Sequence, residues 1–265
     1  ALRAAGVETP RLDAEVFLAE ASGRDRAALA ADPEAPLEPG VGRTFGEMVR
    51  RRLRREPVAY IVGRKGFRGI ELRVDRRVLI PRPETELLVE FALELPAART
   101  IADVGAGSGA VALALADELP EADLTATDTS HAALEVAGAN AKRLGLEGRV
   151  RFARGSLPPA GHYDLLVANL PYVTETEWAG LAPEIREFEP REALVAGPTG
   201  LEVIEGFLAS LRSGRVGAGA IALEVGAGQA GAVVEMIRRA GYRWTHVEAD
   251  LAGIERVVSG TYVVA

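Results

Sequence analysis

The sequence predicts an α/β protein with a Rossmann-like, mostly parallel sheet and a small helical domain ahead of it. Three observations lead to this fold class. Apolar residues recur at helical spacing up to about residue 55, short β-like runs with glycine turns follow, and strand and helix patterns alternate from about residue 98. Alternation of this kind is typical of parallel sheets that are covered by helices on both faces.

Composition narrows the class of protein. The chain has 265 residues, of which 48% are hydrophobic and 26% charged, as in an ordinary globular protein. Cysteine is absent, which excludes disulfides and thiolate chemistry, and three scattered histidines argue against a transition-metal site. No apolar run approaches the roughly 20 residues that cross a bilayer, so we expect a cytoplasmic protein. The net charge of -7 argues against a general nucleic-acid binder but leaves room for a local basic patch.

Residues 1–56 predict a helical domain. Thr9 is a suitable N-cap for a helix whose first position is Pro10. A second helix follows a loop that is rich in proline. Its apolar stripe consists of Val41, Phe45, Met48 and Val49. This spacing predicts helices that pack against one another in a small bundle.

Five arginines in residues 50–55 end the second helix. One interpretation is a solvated helix face, because positive charge stabilises the C-terminal end of a helix dipole. The other is a contact with an acidic or RNA-bound partner. Both interpretations stay open at the level of the sequence.

Residues 57–80 predict a β-hairpin linker, because β-branched and aromatic runs alternate there with glycine turns. The predicted strand pieces are 60–62, 66–69, 70–74 and 78–80. The third predicted domain covers residues 81–265 and opens with Pro81 and Pro83, which fix an extended entry into a first helical turn.

The alternating pattern lies in this third domain. Its predicted strands are 100–104, 123–128, 150–154, 163–169, 219–225, 244–249 and 256–263. Its predicted helices are 109–119, 130–144, 200–212 and 229–240. Only a short loop separates the last two strands, so we expect them to pair antiparallel and to place one reversed strand in the sheet.

A glycine-rich turn, residues 103–109, ends the first strand of this domain and opens its first helix. Glycines let the backbone approach a ligand closely, and a helix N-terminus presents free N–H groups. Asp128 closes the next strand, where a carboxylate can bind both hydroxyls of a ribose. Together they predict a nucleoside site. The residues expected to bind the cofactor here are Gly105, Ala106, Gly107, Ser108, Gly109 and Asp128.

The spacing of these glycines differs from that of dinucleotide-binding proteins and looks like the first motif of S-adenosylmethionine methyltransferases. A second glycine segment, residues 226–231, does match the dinucleotide spacing. It follows the fifth strand, and no acidic strand end is placed there for a ribose, so we interpret it as a structural turn.

Residues 169–172, Asn-Leu-Pro-Tyr, follow an apolar strand at the edge where open α/β sheets bind ligands. Side-chain amides are rare in this chain, which has two asparagines and one glutamine. We expect Asn169, Leu170, Pro171 and Tyr172 to form a catalytic segment. The Asn169 side-chain oxygen and the Leu170 carbonyl can accept both N–H groups of a planar nitrogen nucleophile, and Tyr172 can stack on it.

The chain resembles the HemK/PrmC family of peptide chain release factor glutamine methyltransferases. The resemblance covers about residues 56–262 and is most specific at Arg82 to Glu86. It also includes the stretches 56–61, 78–81, 103–109, Asp128, 169–172, 189–190, 200–201 and 250–253. It departs from the family at Leu170, where the usual segment is Asn-Pro-Pro-Tyr, so the φ restraint of a proline is lost.

The resemblance implies a seven-stranded class I methyltransferase sheet and S-adenosyl-L-methionine as the cofactor. It implies methyl transfer to the side-chain amide nitrogen (N5) of the glutamine in the Gly-Gly-Gln motif of class I release factors. Asn169 and Thr85 are expected beside the cofactor, and Ser156 and Leu157 beside its adenine. Residues 169–172 are expected to hold the glutamine, and the N-terminal helices to dock the release factor.

Three other functions remain as alternatives. The same clamp suits an exocyclic amine of a DNA or RNA base, although such an enzyme usually carries a basic surface or an added recognition domain. A binding module without catalysis and a nicotinamide dehydrogenase are the others. We expect no membrane partner and no metal, and we do not expect nucleic acid as the direct substrate.

Overall fold

The structure is a computed structural model that describes residues 1–95 and 98–262. It divides into two compact units. The first comprises residues 1–64 and 182–188, and the second comprises residues 65–181 together with the described residues from 189 onward. The third predicted domain, 81–265, contains residues 96, 97 and 263–265, which lie outside the described residues. Residue 263, the last of the final predicted strand, is among them.

The elements are numbered in chain order. The helices are α1 (Pro10–Ser22), α2 (Arg26–Ala31), α3 (Val41–Leu53), α4 (Val58–Val62), α5 (Glu86–Leu93), α6 (Ala110–Glu118), α7 (His131–Leu144), α8 (Glu175–Gly180), α9 (Pro183–Phe188), α10 (Glu202–Leu211) and α11 (Ala230–Arg239). The strands are β1 (Arg64–Phe67), β2 (Ile70–Arg73), β3 (Thr100–Val104), β4 (Asp123–Asp128), β5 (Val150–Arg154), β6 (Gly161–Ala168), β7 (Val173–Thr174), β8 (Val195–Gly197), β9 (Val216–Glu224), β10 (Trp244–Ala249) and β11 (Glu255–Thr261). Single 3-10 turns occur at Arg3–Ala5, Pro83–Thr85 and Arg191–Ala193.

The first unit is built from α1–α4 and α9. Helix α1 begins with Pro10 at its first position, as predicted, and ends at Gly23 in the left-handed region. The Thr9 hydroxyl does not cap the backbone but donates to Asp13 Oδ1 at 2.7 Å. Helices α1 and α3 pack against each other, and the predicted bundle of helices is therefore present in this unit.

The arginine run fits neither interpretation as a whole, because Arg52 is buried inside the first unit. Its guanidinium donates to Asp13 Oδ2 at 2.7 Å and to Glu184 Oε1 at 2.8 Å. Arg55 reaches the other Glu184 oxygen at 2.7 Å. The run thus ties α1, α3 and α9 together through charge-assisted hydrogen bonds, whereas Arg50 and Arg54 are exposed.

The predicted strand piece 60–62 is wrong, since these residues belong to helix α4. Arg51 donates to the carbonyls of Tyr60 and Ile61, the unsatisfied oxygens of the last helical turn. Gly63 then ends the helix with a positive φ of 74°. A cation supplied from α3 therefore outweighs the local β propensity of the Tyr-Ile-Val run.

Strands β1 and β2 form a two-stranded sheet, so part of the predicted hairpin linker is present. The predicted strand piece 78–80 is absent from the structure. The Glu189 carboxylate accepts a hydrogen bond from the Ile80 N–H at 3.0 Å and from the Arg82 guanidinium at 2.6 Å. A side-chain acceptor far along the chain thereby replaces the neighbouring strand that the sequence pattern favoured.

The second unit contains the predicted sheet, with seven strands in the order β10-β11-β9-β6-β3-β4-β5. Strand β11 runs antiparallel to both β9 and β10, which confirms the reversed strand. Strands β9, β6, β3, β4 and β5 are parallel to one another. Their carboxyl ends therefore meet at one edge of the sheet, which positions the residues that follow each strand.

Helices cover both faces of this sheet and bury its core. Helix α6 is buried along almost its whole length, because four alanines alternate with larger apolar residues and allow close packing. A second cluster on the opposite face includes Leu166, Ile221 and Val258 from the strands and Ile204 and Ile237 from the helices. Within residues 1–95 and 98–262, no helix combines the length and apolar character that a membrane span requires.

We predict that Arg52→Ala destabilises the first unit by about 3–5 kcal/mol, because it leaves the buried Asp13 carboxylate without its cation and Glu184 with Arg55 alone. Urea unfolding followed by circular dichroism, with hydrogen exchange at α1 and α3, measures the effect. Arg54→Ala removes an exposed arginine of the same run and is the matched control, with a change within about 0.5 kcal/mol. Equal stability of the two variants would contradict the structural role of Arg52.

Candidate active site

A cavity of about 550 Å³ lies in the second unit, at the edge where the parallel strands end. This volume is in the range of sites that enclose a nucleoside-sized ligand. Ten residues that the sequence singled out line it: Thr85, Gly105, Ala106, Gly107, Ser108, Asp128, Ser156, Asn169, Leu170 and Pro171. The structure thus brings together most of the predicted site residues.

Three predicted residues do not line this cavity. Gly109 lies where α6 meets α7, and a Cβ there would be 2.9 Å from Leu113 Cδ1 and 3.2 Å from Ala137 Cβ. Leu157 packs against the apolar cluster that includes Leu170 and Phe207, and its neighbour Ser156 lines the cavity. Tyr172 is held behind the cavity by hydrogen bonds at both of its ends, as described below.

The glycine turn after β3 approaches the Asn-Leu-Pro-Tyr segment closely. Gly105 has a φ of +82°, and a Cβ on it would lie 3.1 Å from the Asn169 carbonyl oxygen. Its N–H and that of Ala106 both donate to the Thr127 carbonyl at the end of β4, at 2.8 and 2.9 Å. The absence of a side chain at Gly105 is what lets the two candidate ligand-binding loops touch.

Asp128 is anchored by backbone groups. Its Oδ2 accepts from Gly107 N at 2.9 Å, and its Oδ1 accepts from Ser130 N at 2.8 Å. Each oxygen keeps a second lone pair for a hydroxyl ligand. The carboxylate therefore couples the glycine turn to the end of β4 and lines the cavity.

Asp103 is fully enclosed at the end of β3, and its Oδ2 accepts from Ala112 N at 3.1 Å. Burial raises the pKa of Asp103 to about 7, and the nearby charge of Asp128 adds to the rise. The Ala112 hydrogen bond opposes it. The protein thus holds two acidic groups beside one loop in different environments.

The Asn169 side chain is oriented by Thr85. Its Nδ2 donates to Thr85 Oγ1 at 3.0 Å, and Thr85 is almost completely buried. Within the described part of the chain, Asn169 Oδ1 accepts no hydrogen bond. Because one end of the amide is occupied, the end left for a ligand is its acceptor oxygen.

Leu170 compensates for the missing proline of the related segment. Its side chain is buried in the cluster formed by β6, β9 and α10. The following Pro171 restricts the backbone of Leu170 to extended conformations. Among the residues that the structure describes, the Leu170 carbonyl accepts no hydrogen bond. Side-chain burial therefore supplies rigidity that a pyrrolidine ring would otherwise give.

The second glycine segment supports residues 169–172 from behind, in agreement with its interpretation as a structural turn. Gln229 accepts from Gly226 N at 2.9 Å and donates to the Tyr172 carbonyl at 2.9 Å. The Tyr172 hydroxyl donates to Glu224 Oε1 at 3.1 Å. Burial raises the pKa of Tyr172 well above its usual range, and Glu224 adds to this effect.

Asn140, the other asparagine, is fully buried under the glycine turn. It accepts from Arg73 N at 2.7 Å and donates to the carbonyls of Arg73 and Ser108 at 3.0 and 2.9 Å. Asn140 and Gln229 thus brace backbone segments near the cavity, whereas Asn169 binds a side chain, that of Thr85. Only Asn169 keeps a carbonyl oxygen without a hydrogen bond from the described residues.

Sequence reasoning missed several lining residues. Arg77, Val78 and Leu79 come from the linker region, and Pro190 follows Glu189. Val203, Gly206, Phe207 and Ser210 share one face of α10. Their i, i+3, i+4, i+7 spacing was readable as a helix face, but only the fold shows that this face meets the cavity.

The fold and the site define a class I methyltransferase. Two family descriptions match the chain: the PrmC N-terminal domain over residues 1–63 and the methyltransferase small domain over residues 83–185. Among solved structures, the catalytic domain of human METTL16 in complex with a MAT2A 3′UTR hairpin superposes with a TM-score of 0.59, at 16% identity over 73% of this chain and 76% of that one. A methyltransferase from Pyrococcus furiosus gives 0.52, at 14% identity over 76% and 92%.

The chain belongs to the family of release factor glutamine methyltransferases. Relatives with that name include proteins of Bordetella pertussis, 42% identical over 95% of this chain and 94% of the relative, and Moorella thermoacetica, 43% identical over 96% and 92%. A third, from Rhodopirellula baltica, is 39% identical over 97% and 91%. The resemblance found in the motifs is therefore confirmed, as is the fold class.

We predict that Asp103→Asn changes how stability depends on pH. The folded pKa of about 7 exceeds the unfolded value near 3.8, so the Asp103 charge destabilises the fold increasingly as pH rises between these values. As the pH rises from 5 to 8, the free energy of unfolding of the asparagine variant should therefore increase by about 1–3 kcal/mol relative to that of the parent. Urea unfolding across this pH range measures the difference.

Asp164→Asn is the matched control. Hydrogen bonds from Thr100 and Arg99 lower the pKa of Asp164, so its contribution to stability is constant above about pH 5. A parallel pH response of the two variants would refute the assignment of the raised pKa to Asp103.

Proposed function

We propose that this protein transfers a methyl group from S-adenosyl-L-methionine to the N5 nitrogen of the glutamine in the Gly-Gly-Gln motif of peptide chain release factors. The observation that carries the proposal is the Asn169 amide, which is fixed by Thr85 so that its oxygen is left for a ligand. Family membership supports the identity of the acceptor. We expect the reaction in the cytoplasm, because its proposed partner acts in translation.

The cavity fits a nucleoside cofactor. Gly105 and Gly107 leave room for close approach, and Asp128 offers two oxygens for ribose hydroxyls. Val78, Leu79 and Phe207 provide apolar walls for a base. When bound, S-adenosylmethionine supplies a methyl group that its sulfonium sulfur makes electrophilic.

The chain's own residues act on the acceptor nitrogen. An amide nitrogen is weakly nucleophilic because its lone pair is delocalised into the carbonyl group. The Asn169 oxygen and the Leu170 carbonyl can accept its two N–H groups and so fix its orientation. Preorganised acceptors of this kind stabilise the positive charge that develops on nitrogen, and no strong general base is required. Tyr172 contributes by holding this segment in place.

We further propose that the helical unit at the N-terminus docks the release factor and that nucleic acid is not the direct substrate. The match of this unit to the PrmC N-terminal domain supports the first point. The net charge of -7 supports the second, since nucleic-acid enzymes usually carry a basic surface.

The decisive experiment is incubation with isotopically labelled S-adenosylmethionine and either a class I release factor or nucleic acid. We expect label in the release factor, on the Gly-Gly-Gln glutamine by mass spectrometry. A release factor with alanine at that glutamine is the matched control and should take up no label. Label in the nucleic acid instead would replace this function with base methylation.

We predict that Asn169→Ala lowers kcat about 100-fold, because one of the two acceptors is lost. The dissociation constant for S-adenosylmethionine should change by less than about threefold, since Asn169 acts mainly on the acceptor nitrogen. Steady-state kinetics and calorimetric titration measure the two quantities. Glu121→Ala, at an exposed position away from the cavity, is the control. Undiminished activity of Asn169→Ala would refute the clamp.

A further inference from the structure

Glu224 is a buried acid that the methyl-transfer scheme above does not use. It ends β9 and is 1% exposed, and its Oε2 has no hydrogen-bond partner among the described residues. In the sheet register Leu223 lies opposite Ala168, so Glu224 and Asn169 come next along their neighbouring strands. A carboxyl group is expensive to bury without a function or a full set of partners.

One hydroxyl group donates to this carboxylate, and within the described residues no hydrogen bond joins a second, that of Thr85, to it. The Tyr172 hydroxyl donates to Oε1 at 3.1 Å, and both Thr85 and Tyr172 favour its ionised form. Thr85 is also the residue that accepts the Asn169 amide at 3.0 Å. The Thr85 hydroxyl proton and Glu224 Oε2 are thus two buried groups that lack a hydrogen-bond partner among the described residues, and both lie next to Asn169.

The direction of the hydrogen bonds in the series Asn169, Thr85 and Glu224 depends on which group receives the Thr85 proton. A threonine hydroxyl has a single proton to donate. If Glu224 accepts a hydrogen bond from that hydroxyl, the Thr85 oxygen has only lone pairs for Asn169, and the asparagine must donate from its NH2 group. The amide oxygen is then left for the cavity. If Thr85 donated to Asn169 instead, the amide would turn over and offer N–H groups to a substrate that itself needs acceptors.

We propose that Glu224 is a positioning residue that acts through Thr85 to fix which end of the Asn169 amide faces the substrate. This role rests on the proposed function, in which Asn169 accepts a hydrogen bond from the acceptor nitrogen. Glu224 does not touch the substrate and takes no proton from it. Its ionised form is the one that orients the series, because a carboxylate only accepts hydrogen bonds.

The surroundings of Glu224 set its pH response. Burial raises the pKa of Glu224, and the charge of Glu84 adds to the rise, whereas Thr85, Tyr172 and Arg256 oppose it. As pH falls through this raised pKa, Glu224 gains a proton and can itself donate to Thr85. The orientation of Asn169 is then no longer unique, and the rate should fall on the acid side.

The test compares Glu224→Gln, Thr85→Val, Thr85→Ser and the double variant E224Q/T85V in the full chain. Glu224→Gln preserves shape and an acceptor for Tyr172 but directs a donor at Thr85. We expect it to lower kcat at least about tenfold, with cofactor affinity and melting temperature nearly unchanged. Thr85→Ser should retain at least about tenfold more activity than Thr85→Val, since it keeps the hydroxyl.

Two readouts separate positioning from a general structural role. The double variant should be no more than about threefold slower than Thr85→Val, because both changes break the same series. In the wild type, protonation of Glu224 should make kcat fall as the pH is lowered. This fall in kcat at acid pH should be absent in Glu224→Gln. Glu248→Gln, which neutralises an exposed acid on β10, is the control and should match the wild type.

A Glu224→Gln variant with kcat within about twofold of the wild type would overturn the proposal, as would losses that multiply in the double variant. If Glu224→Gln does not fold, equal activity of Thr85→Val and Thr85→Ser overturns it, and a large difference between them supports it. The proposed function fails separately, through labelling of a different acceptor by the wild type. The ratios among variants can then be measured on that acceptor.

Discussion

The hydrogen bond from the Asn169 amide to the Thr85 hydroxyl is the constraint on which the candidate site depends. An amide can present either a donor or an acceptor, and this contact decides which one faces the cavity. The rest of the second unit keeps the two partners in place. Glu189 fixes the backbone just before Thr85, Gln229 holds the segment after Asn169, and the bare Gly105 lets the two ligand-binding loops meet.

The sheet was predictable because its signals are local. Strands β3, β4 and β6 are short runs rich in apolar residues that end at a glycine, an acid or Asn169, and the loop between the last two strands is too short for a parallel crossover. Helix α4 and the segment 78–80 were mispredicted for the opposite reason. Their conformations follow from Arg51 and Glu189, and the latter lies 109 residues away from Ile80, where no sequence window includes it.

The candidate site divides in the same way. The glycine turn, Asp128 and the Asn-Leu-Pro-Tyr segment carry their chemistry in contiguous residues, and the rarity of amides drew attention to Asn169. Glu224 carries no such signal, since glutamate is common in this chain and its partner Tyr172 is distant in sequence. Gln229 is the only glutamine, but its partner Tyr172 is also distant, so the sequence did not reveal its supporting contact. Leu157 was expected at the cavity by analogy alone, and its side chain is partly buried against the apolar cluster of the sheet.

Helix α9 limits how the helical unit can be transferred to another protein. Its Glu184 receives both Arg52 and Arg55, although it is separated from them by the glycine turn and most of the parallel strands. A fragment that ends near residue 64 would keep Asp13 as a partner of Arg52 but would lack Glu184, the shared partner of Arg52 and Arg55. The helical unit is therefore not contiguous in sequence, and grafting it onto another enzyme requires the transfer of two separate segments, one of them seven residues long.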